Sequence, residues 1–144
     1  MGRHLYSLLL LLCTPLLIAH VVRKYRREQQ DPLVSHRLGV HVPDQMDVCI
    51  WIHACSLGEA KVGVELARSL INHDASLRIL MTATTPAGLD VLARSEFASH
   101  VFPWDFSWIW SRWLSKLRPM ALIVIETELW PNLVAACHKA SIPV

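Results

Sequence analysis

From residue 48 to the C-terminus, short apolar runs alternate with helical patterns, and this alternation constrains the fold more than any other feature. Strands are predicted over residues 48–53, 77–82, 100–102 and 121–125, and helices over 58–72, 86–95, 106–117 and 130–139. Short strands alternating with helices of roughly 10–15 residues indicate βαβ units and a parallel sheet. The sequence therefore predicts an α/β fold, a Rossmann-like parallel sheet with flanking helices. Residues 141–144 resemble the start of a further strand.

The N-terminal segment is the most apolar part of a chain in which 53% of residues are hydrophobic. Residues 5–22 carry no formal charge, and a helix needs about 17–25 such residues to cross a bilayer. Arg23, Lys24, Arg26 and Arg27 follow at once, which by the positive-inside rule places this flank in the cytoplasm. No A-x-A-like cleavage site precedes these charges, so an uncleaved anchor is favoured over a signal peptide. Whether this helix spans the bilayer or lies in its interface stays open.

The chain divides into a membrane anchor with its basic flank (1–27), a linker or docking segment (28–47) and the α/β domain (48–144). A formal net charge of +2 gives no argument for a nucleic acid partner. The four cysteines form no CxxC pair and the eight histidines are scattered, so neither a metal site nor a cofactor is predicted.

The turns that follow successive strands share one edge of a parallel sheet, which is where open α/β sheets bind ligands. At the first turn, Ser56 and Glu59 have the spacing of a capping box, and that alone would explain both residues. The alternative is that Glu59 is a carboxylate held at the crevice to accept a proton from a substrate hydroxyl. Gly58 would let a ligand approach the backbone closely.

The second turn contains Thr84, Thr85, Pro86 and Gly88. Capping by Thr85 with Pro86 at the first helical position is the simpler interpretation. Binding of a phosphate or carboxylate by free amides and hydroxyls is the alternative.

The third turn carries Asp105, which can cap the helix that follows. That helix mixes tryptophans with basic residues, namely Trp104, Trp108, Trp110 and Trp113 beside Arg112, Lys116 and Arg118. Such a mixture is typical of a helix at the membrane interface. The alternative is a core helix with Ile109 and Trp113 directed inward.

The fourth turn contains Glu126 and Glu128, followed by Trp130 and Asn132. Two carboxylates two residues apart point the same way in an extended chain, and close like charges raise one pKa, which suits acid/base chemistry. Capping of the next helix by Glu128 is the alternative.

Four segments, WIHACSLGE, TATTPAG, FPWDF and IETELWPN, together resemble the N-terminal half of the 3-deoxy-D-manno-octulosonic acid (Kdo) transferases of lipopolysaccharide synthesis. The resemblance covers nearly the whole chain. It implies a GT-B glycosyltransferase, in which two Rossmann-like domains face each other across a cleft. Such an enzyme transfers Kdo from CMP-Kdo to a lipid A precursor, lipid IVA, at the cytoplasmic face of the bacterial inner membrane. The transfer inverts the anomeric centre and needs no metal.

Carried onto this sequence, the resemblance implies that Glu59 is the general base. We assign twelve further residues to the acceptor-binding cleft: His53, Ser56, Gly58, Thr84, Thr85, Pro86, Gly88, Asp105, Glu126, Glu128, Trp130 and Asn132. The C-terminal CMP-Kdo-binding domain is absent from this chain, so we expect the fragment to be inactive alone. One rival hypothesis is a membrane-tethered module that binds an anionic glycolipid without catalysis. The other, a plain nucleotide-binding domain, is weakened by the lack of a GxGxxG or P-loop motif.

Overall fold

The computed structural model describes residues 2–27, 34–46, 49–126, 128 and 130–144, with the backbone alone for 25–27. The predicted strand start at Val48 lies outside these residues. In chain order the elements are α1 (Gly2–Arg27), α2 (Val34–Arg37), β1 (Cys49–Ala54), α3 (Leu57–His73), β2 (Arg78–Ala83), α4 (Pro86–Ala93), β3 (Ala98–Val101), α5 (Ser107–Leu117), β4 (Ala121–Val124) and α6 (Pro131–Lys139).

The four strands form one parallel sheet in the order β3-β2-β1-β4. The chain adds β2 and β3 on one side of β1 and then returns to add β4 on the other side. Ligands of open α/β sheets bind at this switch point, outside the carboxyl ends of the strands. The Rossmann-like α/β prediction is confirmed, and the crevice beyond β1 and β4 is the place where its chemistry is expected.

Most predicted elements agree with the structure to within two residues. The third strand, predicted over 100–102, runs from Ala98 to Val101. Residues 141–144 contain no strand, although the amide of Leu122 donates a hydrogen bond of 2.9 Å to the carbonyl of Pro143.

Side chains of β1 alternate between two hydrophobic clusters, one on each face of the sheet. Trp51 packs into the cluster under α5 and α6, while Ile52 packs into the cluster under α3 and α4. This alternation follows from the two-residue period of a strand. His53 is therefore directed to the same face as Trp51, towards α5.

The tryptophan-rich helix α5 is mainly a core helix. Ile109, Trp110 and Trp113 are buried, and the ring centroids of both tryptophans lie 5.7–5.8 Å from that of Trp51. Trp108 is the exception, since 56% of its surface is exposed. The alternative of a core helix with Ile109 and Trp113 directed inward is therefore confirmed, and the membrane-interface interpretation is wrong for the buried Trp110 and Trp113.

Helix α1 lies along the domain and contacts both α2 and α6. The segment Gly2–Lys24 is long and apolar enough to cross a membrane. However, Leu10 packs against the cluster under α5 and α6, and the Ser7 hydroxyl donates to Asn132 Oδ1 at 3.1 Å. The helix thus presents one half-buried face to the domain and an opposite, leucine-rich face to its surroundings.

Residues 34–46 pack on the domain beside the second and third turns. The Trp104 amide donates to the Arg37 carbonyl at 2.8 Å, and Arg37 Nη2 donates to the Thr84 carbonyl at 2.8 Å. Gly39 has φ +69°, and a Cβ there would lie 2.5 Å from Ile109 Cγ2. Only glycine fits this conformation and this contact.

Candidate active site

Glu59 lies in the first turn of α3, immediately after the carboxyl end of β1. Its Oε1 accepts a 2.6 Å hydrogen bond from the Ser56 hydroxyl, and its Oε2 accepts one of 2.7 Å from the Cys55 amide. The Glu59 amide donates in return to Ser56 Oγ at 3.4 Å, which makes Ser56 the N-cap of α3. The capping box predicted from the sequence is therefore present, and it fixes the carboxylate at the crevice.

The Glu59 carboxylate keeps its capacity to act as a base. Burial by itself would raise its pKa, but the hydrogen bonds from Ser56 and Cys55 outweigh this effect and hold the pKa below its usual value. The two carboxylate oxygens can accept about four hydrogen bonds in all, and the Ser56 hydroxyl with the amides of Cys55 and Ser56 supplies three, so capacity for a substrate hydroxyl remains. Capping and proton acceptance are compatible at this residue.

The second turn holds the first in place through hydrogen bonds and close packing. The amide and hydroxyl of Thr85 both donate to the Cys55 carbonyl, at 3.0 and 2.9 Å, while its Oγ1 accepts from the Gly88 amide at 3.2 Å. A Cβ on Gly88 would lie 3.2 Å from the carbonyl oxygens of Cys55 and Ser56. Thr85 and Gly88 therefore hold α4 tightly against the turn that carries Glu59. Pro86 occupies the first position of α4, as predicted from the sequence.

Open space surrounds Gly58 in the first turn, whereas Thr84 in the second turn is partly enclosed. Nothing lies within 4 Å of a Cβ built on Gly58, so a ligand can reach the start of α3 along its backbone. Thr84 is half-buried between the two turns.

His53 is fully buried at the end of β1 and stacks on Phe102 with a centroid distance of 3.7 Å. Its Nδ1 lies 3.0 Å from Thr82 Oγ1, which accepts a 2.9 Å hydrogen bond from Trp51 Nε1. The Thr82 carbonyl, which can only accept, lies 3.2 Å from the same Nδ1, so Thr82 offers this nitrogen both an acceptor and a hydroxyl. Burial lowers the pKa of His53 to about 4, so the ring is neutral at physiological pH.

Glu128 follows β4 on the other side of the crevice and faces His53. One of its oxygens accepts a 2.9 Å hydrogen bond from Trp130 Nε1 and lies 3.8 Å from His53 Nε2. Glu128 does not cap α6, whose N-cap is Trp130. The Cys55 thiol is close to the acidic residues of the two turns, Glu59 and Glu128. Burial raises the pKa of this thiol, and the negative charge of Glu128 raises it further.

Glu126 does not have the extended backbone that the sequence prediction assumed. The prediction of parallel carboxylates assumed an extended chain, but Glu126 has φ +63° and is exposed. This left-handed conformation removes the basis for expecting the carboxylates of Glu126 and Glu128 to point the same way. Both still line a cavity of about 240 Å³ with Trp130 and Val144.

Asp105 and Asn132 lie in a buried network beneath α1 and not at the open edge of the sheet. The Asp105 carboxylate accepts from the amides of Asn132 and Leu133, both at 2.9 Å, and from Trp110 Nε1 at 2.6 Å. It therefore caps α6, whereas the sequence predicted that it would cap α5. Burial raises its pKa despite these donors, which include the Tyr6 hydroxyl.

Sequence reasoning missed the supporting residues Trp51, Thr82 and Phe102. Each lies within a strand or directly after one, and each pattern is also that of an ordinary core residue. The sequence signal for Thr82 is a polar residue near the end of an apolar strand, one position before the last residue of β2. Among the described residues, no three His, Cys, Asp or Glu side chains converge as a metal site would require.

Comparison with known proteins gives one consistent result. Residues 27–144 match the sequence model of a family described as 3-Deoxy-D-manno-octulosonic-acid transferase (kdotransferase). The chain is 30% identical to the 3-deoxy-D-manno-octulosonic acid transferase of Bordetella pertussis over 100% of its own length, and 33% identical to that of Haemophilus influenzae over 99%. A probable mitochondrial transferase of the same name from Arabidopsis thaliana is 34% identical over 76% of the chain.

The chain spans 36% of the Bordetella protein and 35% of the Haemophilus protein, or about a third of each. The family model covers Glu59, Glu126 and Glu128, the four turns and all four strands. The chain thus belongs to the 3-deoxy-D-manno-octulosonic-acid transferase (kdotransferase) family.

Proposed function

We propose that this chain supplies the acceptor side and the catalytic base of a GT-B glycosyltransferase that moves Kdo from CMP-Kdo to a lipid A precursor, with lipid IVA as the acceptor. The observation that carries the proposal is the position of Glu59. Two hydrogen bonds hold its carboxylate at the switch point of the sheet, beside the open surface at Gly58.

Glu59 would accept the proton of the acceptor's sugar hydroxyl as that oxygen attacks the anomeric carbon of CMP-Kdo. The new carbon–oxygen bond forms as the bond to the phosphate of CMP breaks, and CMP leaves with the electron pair. Attack from the face opposite the leaving group inverts the anomeric centre. A base held within hydrogen-bond reach of the hydroxyl contributes typically 10²–10⁴-fold to such a rate.

Glu128 and His53 would shape the opposite wall of the acceptor site. His53 is buried and neutral, with Nε2 directed towards Glu128. At this wall of the site, the pair of side chains therefore carries one charge, that of the Glu128 carboxylate. Contacts to the nucleotide are proposed to come from a C-terminal domain, because family relatives are about three times as long as this chain. By the same reasoning, the chain alone is proposed to be inactive, and no cofactor is assigned to any step.

The reaction can be tested by joining this chain to the remaining two-thirds of the Haemophilus influenzae relative. The purified protein is incubated in mixed micelles with CMP-Kdo and lipid IVA, and the glycolipid product is followed by mass spectrometry. We expect the mass of lipid IVA to rise by Kdo and CMP to be released in equal amount. A folded chimera that binds both substrates without turnover would contradict the proposal.

The rival function, an anionic-glycolipid binding module, makes a different prediction for the same experiment. It predicts that this chain binds lipid IVA saturably and that the chimera, incubated with CMP-Kdo and lipid IVA, releases no CMP. Location at the cytoplasmic face of the bacterial inner membrane belongs to the enzyme proposal. It is supported by the apolar helix α1 and by the basic residues that follow it.

A further inference from the structure

A groove separates α5 from α6, and Arg3 at the start of α1 contributes to its lining. Its volume is about 410 Å³. Three serines of α5, Ser107, Ser111 and Ser115, line it at four-residue spacing, which places them on one helix face. Arg3 and Lys139 line it as well.

The charges of this groove are all of one sign. No acidic residue lines it, and within the residues that the structure describes neither Arg3 nor Lys139 forms an ion pair. The Ser115 hydroxyl donates to the Arg112 carbonyl, whereas those of Ser107 and Ser111 have no hydrogen-bond partner among the described residues. Two cations and two free hydroxyl donors match the oxygens of a phosphate group.

The groove opens beside the surface that is best suited to contact a bilayer. The outward face of α1 exposes Leu5, Leu8, Leu12 and Leu16, with 53–73% of each side chain accessible. Trp108 on α5 is also exposed, and tryptophan is enriched where a protein meets the headgroup layer. This leucine face suits the acyl chains of a lipid, and Arg3 at the start of the same helix lines the basic groove that would take the headgroup.

The contacts of α1 fix the position of this face on the domain. Near its N-terminus, Ser7 is hydrogen-bonded to Asn132 of α6, and Leu10 packs on the core of the domain. The helix also contacts α2, which is held to the domain through Arg37. Because α1 is attached to the domain in this way, its leucine face and the groove beside it keep the same position relative to each other when the helix contacts a membrane.

We infer that the groove between α5 and α6 is a binding site for the phosphate headgroup of an anionic membrane lipid, with the lipid's acyl chains along the leucine face of α1. Arg3 and Lys139 would pair with the phosphate, and Ser107 and Ser111 would donate to its oxygens. This inference concerns a site distinct from the Glu59 crevice and does not rest on the proposed transfer reaction.

The test measures binding of the full chain to vesicles of phosphatidylcholine with and without phosphatidylglycerol. The variant carries Arg3→Gln and Lys139→Gln. The matched control carries Lys61→Gln and Arg94→Gln, two exposed cations on the α3 and α4 side of the domain, and so has the same net charge. We expect the groove variant to lose roughly 30-fold in affinity for the anionic vesicles, and the control to lose little, because each basic residue near such a surface contributes about a factor of five. Equal losses in the two variants would overturn the inference.

A second variant separates a defined site from general attraction to the surface. Ser111→Leu fills the groove without changing any charge, and the residue is exposed enough to tolerate it. Native mass spectrometry of the wild-type chain in detergent with phosphatidylglycerol should show one retained lipid, and Ser111→Leu should lose it. Retention of that lipid by Ser111→Leu would overturn the inference. So would displacement of the lipid by millimolar inorganic phosphate, because a soluble phosphate would then be the ligand.

Discussion

Acidification should destabilise this domain in a way that depends on His53. The ring is fully buried, and its pKa is lowered from 6.5 to about 4. Between these two values the unfolded chain binds a proton that the folded chain does not, so the free energy of unfolding falls as the pH falls. Each pH unit corresponds to about 1.4 kcal/mol, so this one residue should remove about 3 kcal/mol of stability between pH 6.5 and pH 4.

The assay is urea unfolding in non-ionic detergent, followed by tryptophan fluorescence at half-unit steps from pH 7.5 to pH 4. Other groups titrate in this range, including His100, whose pKa burial also lowers. The informative quantity is therefore the difference between the wild type and His53→Gln, which should shrink by about 3 kcal/mol on going to pH 4. His138→Gln, a change at an exposed histidine, serves as the control for replacing a histidine by glutamine.

Parallel curves for the wild type and His53→Gln would refute this reasoning. If His53→Gln does not fold, the imidazole of the wild type can be titrated directly by NMR. A His53 pKa near 6.5 in the folded chain would refute it equally.

Three further predictions concern the turns. Gly88→Ala should destabilise the domain by about 1–3 kcal/mol in the same unfolding assay, because the new Cβ would press on the backbone of the turn before α3. Gly58→Ala should not destabilise the domain and should stabilise it by up to about 1 kcal/mol, because space is open around Gly58. If lipid IVA approaches the start of α3, Gly58→Ala should nevertheless weaken its binding, as measured by calorimetry; unchanged affinity would place the ligand elsewhere. Asp105→Ala should cost at least about 3 kcal/mol, since it leaves three buried donors without an acceptor, while Asp90→Ala on α4 should stay within about 0.5 kcal/mol. A loss at Asp105 no larger than that at Asp90 would contradict the buried network.

The secondary structure and the first two turns follow from local rules. Strand and helix periods locate all eight elements of the domain, and the capping box at Ser56 depends only on residues three positions apart. The same locality explains why Thr85 and Pro86 could be placed at the start of α4. Local patterns did not determine which helix a distant side chain would cap.

The misassigned residues depend on tertiary contacts. Asp105 caps α6 across 27 residues of sequence, because the packing of α5 against α6 brings its carboxylate to the free amides of that helix. The left-handed conformation of Glu126 could not be predicted, because position 126 holds neither glycine nor asparagine, the residues that favour this conformation. The docking of α1 through Ser7 was hidden in a segment whose composition indicates only a membrane.

The role of Glu59 as the general base is tested most directly by the rate of Kdo transfer in the chimera that carries Glu59→Gln. Glutamine can still accept from the Cys55 amide and complete a capping box, so the fold and the acceptor affinity should be kept. Glu65→Gln, on the exposed face of the same helix, is the matched control.

We expect single-turnover transfer to fall by about 10²–10⁴-fold in Glu59→Gln with lipid IVA binding unchanged, and to stay at the wild-type rate in Glu65→Gln. A wild-type transfer rate in a folded Glu59→Gln chimera would contradict the assignment and leave Glu59 as a capping residue.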